Sequence, residues 1–335
     1  MHSRNSLDLL RLVAAALVLY SHQHVLLGLD EPTFFGWTTV GGLGVSVFFF
    51  LSGFLVWSSW VRDPDLYRFF LRRALRIFPG LWLLVVLTIF VLGPLLSDVS
   101  LSAYFGDTQT WRYLSNAWLL TRYTLTGVFT DNPYPAIVNG SLWTLPIEFF
   151  CYATLAVVGI WLRRFARWSV LWMLLAMSVA VAAAWLGPLQ WGVRLTTHFE
   201  MVACFWWGVG YAAWTLIKDD AQKRKLFLWM ALLLVTTVGL GSRGVERTAV
   251  LLCAASLVVM ALHTNVGARL TDKLGDLSYG MYIFAFPVQQ LLVFWGRNQE
   301  WSLELHLFLS LFLTSALAYI SWHGLEKQAL RLKPS

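Results

Sequence analysis

The chain has 335 residues, of which 58% are hydrophobic and only 13% charged, and its mean hydropathy is +0.63. Soluble domains carry about a quarter charged residues, so this composition excludes an ordinary soluble protein and describes a polytopic membrane protein. The formal charge of +7 is not a nucleic-acid signal, because the basic residues fall between the apolar stretches, where cytoplasmic loops concentrate them.

Windows of about 17 to 25 mostly apolar residues predict ten spans, at 7–28, 39–60, 77–97, 143–162, 168–187, 197–217, 226–241, 247–264, 277–296 and 302–324. The first is too long for a signal peptide and lacks a small-residue cleavage site, so it is read as a retained span. Eighteen Lys and Arg lie in the N-terminus and alternate connections, with Arg62, Arg68, Arg72, Arg73 and Arg76 the densest group, against six in the opposite connections. The positive-inside rule then puts both termini in the cytoplasm, as an even number of spans also does. The expected fold is an all-α integral membrane bundle of about ten transmembrane helices, one domain over 1–335. The long connection 98–142 becomes an extracytoplasmic loop rich in Trp, Tyr, Thr and Asn, which suits a sugar-like surface as well as it suits a cap on the bundle.

Within the first span stand Asp8, Arg11 and His22. Arg11 and His22 are eleven residues apart, close to a whole number of helical turns, so they share a face with His22 about 16 Å further along. Asp8 and Arg11 are neighbours at i,i+3. Ionisable residues at membrane depth face a protein interior or a wet cavity and are functional candidates, although the Asp8–Arg11 pair alone is explained by pairing at the membrane surface. The stretch GGLGVSVFFFLSGF (41–54) places four glycines in the second span, which close helix packing explains; a path for a long ligand arm beside this helix is an added expectation.

In FFLRRALRIFP (69–79), Arg73 and Arg76 are i,i+3 at the mouth of the third span. Two guanidiniums so spaced match phosphate oxygens, but by spacing alone a cluster contacting lipid headgroups is the stronger reading. In NGSLWTLPIEFFCY (139–152), Ser141 or Thr144 caps a helix with Pro146 in its first turn, and Glu148 sits one turn into an apolar span. A carboxylate there needs a partner, and His22 is the expected one, the pair making the imidazole a stronger base. His22 and His24 point to opposite sides of a helix and no third ligand is suitably spaced, so no metal site is predicted. Cys151, Cys204 and Cys253 lie inside spans without ligand spacing and are expected to be free, buried thiols.

Taken together, these residues resemble the membrane acyltransferase-3 family, bacterial O-acetyltransferases of carbohydrates. Arg11 and His22, preceded by Asp8, match its Arg-x10-His motif, Arg73 and Arg76 its Arg-x-x-Arg motif, and Asn139, Ser141, Trp143 and Glu148 look like its Ser-Leu-Trp…Glu segment with the Asn-Gly before it. LSGF (51–54), SYGMYIFAFP (278–287) and HGLEKQAL (323–330) are also similar to family segments. Ala285 departs from the pattern, standing where many members carry a His, and Glu326-Lys327-Gln328 stands where Glu-Lys-Pro is usual. The resemblance implies a bacterial inner-membrane enzyme with acetyl-CoA as cytoplasmic donor and a carbohydrate or glycolipid hydroxyl as acceptor, in lipopolysaccharide or exopolysaccharide modification. Arg73, Arg76, Arg11 and Asp8 would serve the donor; His22 and Glu148 would be catalytic; Asn139, Ser141 and Trp143 would contact substrate. The competing expectations are a multi-pass permease for a glycan precursor or acetyl group, and a structural partner of a glycan-assembly complex.

Overall fold

The computed structural model describes residues 5–164, 193–239 and 243–333. Helices α1 (Leu7–Leu26) and α2 (Val40–Arg62) are joined by a small hairpin in which Thr33–Phe34 pairs antiparallel with Thr38–Thr39. Helix α3 (Leu66–Leu87) continues through a π turn (Thr88–Leu92) and a final turn (Gly93–Leu96). After the long loop come α4 (Thr144–Arg164), α5 (Val193–Leu216), α6 (Asp220–Gly239) and α7 (Gly244–His263). Then follow α8 (Ala268–Leu274), α9 (Ser278–Gly296) and α10 (Leu303–Ser321), which runs on through a π turn (Trp322–Glu326) to Lys327–Leu330.

Among the described residues, six helical stretches are long and apolar enough to cross a membrane, or seven if α8 and α9, bent by 70° at their junction, form one broken span. The six coincide with the expected first, second, third, fourth, eighth and tenth spans, and the broken pair with the ninth. The expected fifth span, 168–187, lies outside the described residues. The sixth and seventh coincide with α5 and α6, which do form, but Glu200, Trp206, Trp207 and Trp214 in α5 and the DAQKRK start of α6 make them too polar to qualify. The third span also begins earlier than expected. Asp65 caps α3 by accepting from the Arg68 N–H at 2.8 Å, so the arginines ride on the helix rather than on a connection. At about 1.5 Å per residue, Leu66–Leu96 is roughly 46 Å long, well beyond a hydrocarbon layer of about 30 Å. One end therefore stands clear of the apolar layer, and Arg68, Arg72, Arg73 and Arg76 occupy it.

Helix α2 is the centre of the bundle, and its glycines set how close its neighbours come. A side chain at Gly53 would run into the Phe205 carbonyl of α5, and one at Gly208 of α5 into the Phe50 carbonyl of α2, so the two backbones touch reciprocally. On another face, a Cβ at Gly44 would lie 2.6 Å from the Ala14 carbonyl oxygen, and one at Gly41 would lie 2.8 Å from Ser21 Cβ, both on α1. The antiparallel register of α1 on α2 is thereby fixed, with His22 at the level of Gly41. The remaining face of α2, carrying Val45, Phe48, Ser52, Leu55 and Ser59, is left to line a cavity. The cysteines are free, Cys151 and Cys204 buried and Cys253 partly so.

Candidate functional site

The cavity has a volume of about 540 Å³, in the range of small-molecule sites. Along α2 it runs from Arg62 to Val45, seventeen residues or about 26 Å. Six basic side chains line it, Arg11, Arg62, Arg72, Arg73, Arg76 and Lys333, against two acids, Glu148 and Asp276. The excess of positive charge suits an anion.

Most of these cations are already held. Asp276, at the bend between α8 and α9, takes Arg76 Nη2 at 2.7 Å and Arg11 Nη1 at 3.3 Å on one oxygen, and its other oxygen accepts from Ser278 Oγ at 2.6 Å. Arg11 also meets Asp8 at 3.0 Å, with Asp8 on the outer, exposed side of the pair. Arg72 and Arg68 both bind Asp63, at 2.5 and 2.7 Å, and the hydrogen bond from Arg72 is the main reason that this carboxyl is held below the usual carboxylate range. Arg73 differs: it has no ion pair among the described residues, and its buried Nε has no hydrogen-bond partner. Its guanidinium lies over the rings of Phe69 and Tyr152, 6.0 and 5.9 Å from their centroids. Of the two arginines in the Arg-x-x-Arg motif, it is therefore the one free to take an anion. Lys333, just past the last helix, reaches the same mouth. Burial first, then the charges of Arg73, Arg76 and Arg72, lower its ammonium pKa to about 8.

Glu148 lies deeper in the cavity. Its carboxylate accepts hydrogen bonds from the Tyr152 hydroxyl and from Ser52 Oγ, the latter at 3.2 Å, which places it at the level of Ser52 on α2. His22 is level with Gly41, eleven residues away or about 16 Å along the bundle. The expected His22–Glu148 pair does not form. The reason is local: residues 140–143 make a 3-10 turn with Ser141 and Leu142 already buried in the bundle, so α4 starts inside it and carries Glu148 with it.

His22 shares its helix with Arg11 but does not line the cavity. It packs edge-on against Phe286, with ring centroids 5.2 Å apart, and its buried Nδ1 has no partner. Phe286 in turn packs on the turn containing Asn139 and Ser141, where a Cβ at Gly140 would meet its ring at 2.6 Å. Asn139 is fully buried: its Nδ2 donates to the Ile283 carbonyl at 2.9 Å and its Oδ1 accepts from the Ser141 N–H at 3.0 Å. Ser141 is buried beside it, and Trp143 packs partly buried against the core. This motif thus docks α4 onto α9, and none of Asn139, Ser141 and Trp143 lines the cavity.

The structure therefore gathers Arg11, Arg73, Arg76 and Glu148 into one cavity, with Asp8 behind Arg11 and His22 beyond its inner end. Sequence reasoning missed Asp276, Tyr152, Ser52 and Tyr282. Asp276 stands two residues before the start of the SYGMY segment, and an acid close to a motif is the one signal available; its 265-residue separation from Arg11 hides the pairing.

A family model described as "Acyltransferase domain" matches residues 4–323. The chain is 30% identical over 331 residues to an "O-acetyl transferase" of Shigella phage Sf6, covering 98% of this chain and 97% of that protein. It is likewise 30% identical over 365 residues to "Nodulation protein 10" of Rhizobium leguminosarum bv. viciae, covering 99% and 95%. A "Putative peptidoglycan O-acetyltransferase YrhL" of Bacillus subtilis (strain 168) is 25% identical over 343 residues, covering 88% of this chain and 51% of that protein. No solved structure matches the chain. With a family model over nearly its whole length and several helices able to cross a membrane, the chain belongs to the acyltransferase-3 family and is a multi-pass membrane acyltransferase.

Proposed function

We propose that the protein takes an acyl group, acetyl by preference, from acyl-CoA at its arginine end and delivers it to a hydroxyl of a cell-surface or lipid-linked carbohydrate reached from the opposite end. The observation that carries this reading is the shape and charge of the cavity: a long passage, basic at its mouth and closing near His22, whose Nδ1 is buried. Acyl-CoA has the same polarity, with phosphates at one end and a thioester on a long arm at the other. The names of the phage and Bacillus relatives support an acetyl group and a carbohydrate acceptor. Because CoA is cytoplasmic, this reading puts the arginine end and both termini in the cytoplasm of a bacterial inner-membrane protein.

Arg73 binds donor phosphate oxygens through its unpaired guanidinium, and Arg76 and Arg11, fixed by Asp276, add charge beside it. Glu148 holds the Tyr152 ring beneath Arg73 and so positions the donor. His22 takes the proton of the acceptor hydroxyl as that oxygen attacks the thioester carbonyl. The C–O bond forms, the C–S bond breaks, and the proton passes to the leaving CoA thiolate.

The test is CoA thiol release from acetyl-CoA by the full chain in nanodiscs, with bacterial oligosaccharides supplied as acceptors. His22→Ala should lower transfer by at least about 10²-fold. Oligosaccharide flux across vesicles without consumption of acetyl-CoA would overturn the proposal in favour of a permease.

A further inference from the structure

We propose that Tyr282 is the end wall of the donor cavity and restricts the transferred group to short acyl chains; this rests on the donor reading above. On each helix that lines the passage, the deepest residues are Val45 of α2, Thr144 of α4 and Tyr282 of α9. Val45 stands four residues short of Gly41, the level of His22, and Tyr282 stands four residues short of Phe286, the ring that touches His22. Both comparisons leave about 6 Å, one helical turn, between the end of the passage and the imidazole's surroundings.

Val45 and Thr144 are small, so the bulk of the wall is one phenol ring. It is tethered. The Tyr282 hydroxyl shares a hydrogen bond with Thr144 Oγ1 at 2.9 Å and lies 3.3 Å from the Ser141 carbonyl oxygen that accepts from it. Phe48 meets the ring edge-on at 5.7 Å. A phenol fixed at both its edge and its hydroxyl cannot yield to a growing alkyl chain without loss of buried hydrogen bonds. A short acyl group fits in front of it, and each further methylene collides with it. The Asn139–Ser141 turn acquires a role here: it supplies the carbonyl that holds the wall and packs on the next ring, Phe286.

The experiment measures binding of acetyl-CoA and octanoyl-CoA to the purified full chain in nanodiscs, for the native protein and for Tyr282→Ala, Tyr282→Leu and Tyr282→Phe. Removing the ring should raise the octanoyl-to-acetyl affinity ratio by at least about tenfold in the alanine variant, and by less in the leucine variant. The phenylalanine variant keeps the ring and should stay close to the native ratio. An unchanged ratio in monodisperse Tyr282→Ala overturns the wall; if that variant does not fold, Tyr282→Leu decides by the same criterion. A native protein that binds neither ester overturns the donor reading and the wall together, whereas native binding with an unchanged ratio in the variants overturns the wall alone.

Discussion

At the arginine end of the bundle, charge is met by charge: Asp276 holds Arg11 and Arg76, and Asp63 holds Arg68 and Arg72. Near His22, Ser21 Oγ donates to the Glu31 carboxylate at 2.5 Å, and a second cluster is built of neutral amides. Gln289 Nε2 donates to the Leu19 carbonyl at 2.8 Å and to Gln23 Oε1 at 3.0 Å, and Ser310 Oγ donates to the same Gln23 oxygen at 2.8 Å. A region built of ion pairs that leaves the Arg73 guanidinium without an acid is suited to binding an anion and releasing it. The amide cluster, in which Gln23 Nε2 and Gln289 Oε1 have no hydrogen-bond partner, carries no charge that would balance an imidazolium. A proton taken up there is costly to keep, so it must be passed on to the leaving group within the same cycle. On the proposed reading, binding belongs to one end and chemistry to the other.

Substitutions that act on one end alone sharpen that division. His22→Ala is expected to have the largest effect on turnover, a loss of at least about 10²-fold in transfer. Asp276→Ala should have the largest effect on stability: it leaves Arg11 and Arg76 without their shared acid and frees α1, α3 and α9 from one another. The expected cost is about 2–3 kcal/mol, somewhat below that for a fully buried pair, read as a lowered thermal midpoint in nanodiscs. Tyr152→Phe takes one of two donors from Glu148 and should cost about 1 kcal/mol of stability; Tyr152→Ala also removes the ring beneath Arg73 and should weaken acetyl-CoA binding beyond that, by a few-fold.

The smallest effect belongs to Lys333. With its pKa lowered to about 8 by burial and then by the charges of Arg73, Arg76 and Arg72, against the opposing pull of Asp276, it is charged below that pH and neutral above it. Acetyl-CoA affinity should therefore fall as pH rises from 7 to 9, by up to about fivefold for one charge at a solvent-facing rim. Titrations of Lys333→Met should be flat over the same window, and an equal slope in both proteins would exclude Lys333 from the site.

The sequence announced the helices and the motifs that lie on single helices, because hydropathy and helical spacing are local properties. The shared face of Arg11 and His22 and the i,i+3 placement of Arg73 and Arg76 could be read directly from the chain. What could not be read was depth across helices. Glu148 looked like a partner for His22 only because both stood near the same apparent surface; the buried 3-10 turn at 140–143 and the register set by Gly41 and Gly44 separate them by about 16 Å. Asp276 and Tyr282 acquire their roles from contacts with residues more than a hundred positions away. The start of α3 falls outside an apolar window because Arg68, Arg72, Arg73 and Arg76 give its first three turns the hydropathy of a connection.

The most direct test of the division between binding and chemistry uses radiolabelled acetyl-CoA with the full chain in nanodiscs, comparing the native protein with His22→Ala and Arg73→Ala. The account predicts that Arg73→Ala weakens binding by about 10- to 100-fold, while His22→Ala still binds the donor but does not transfer the acetyl group. Equal loss of donor binding in both variants, or near-native transfer by His22→Ala, would contradict it.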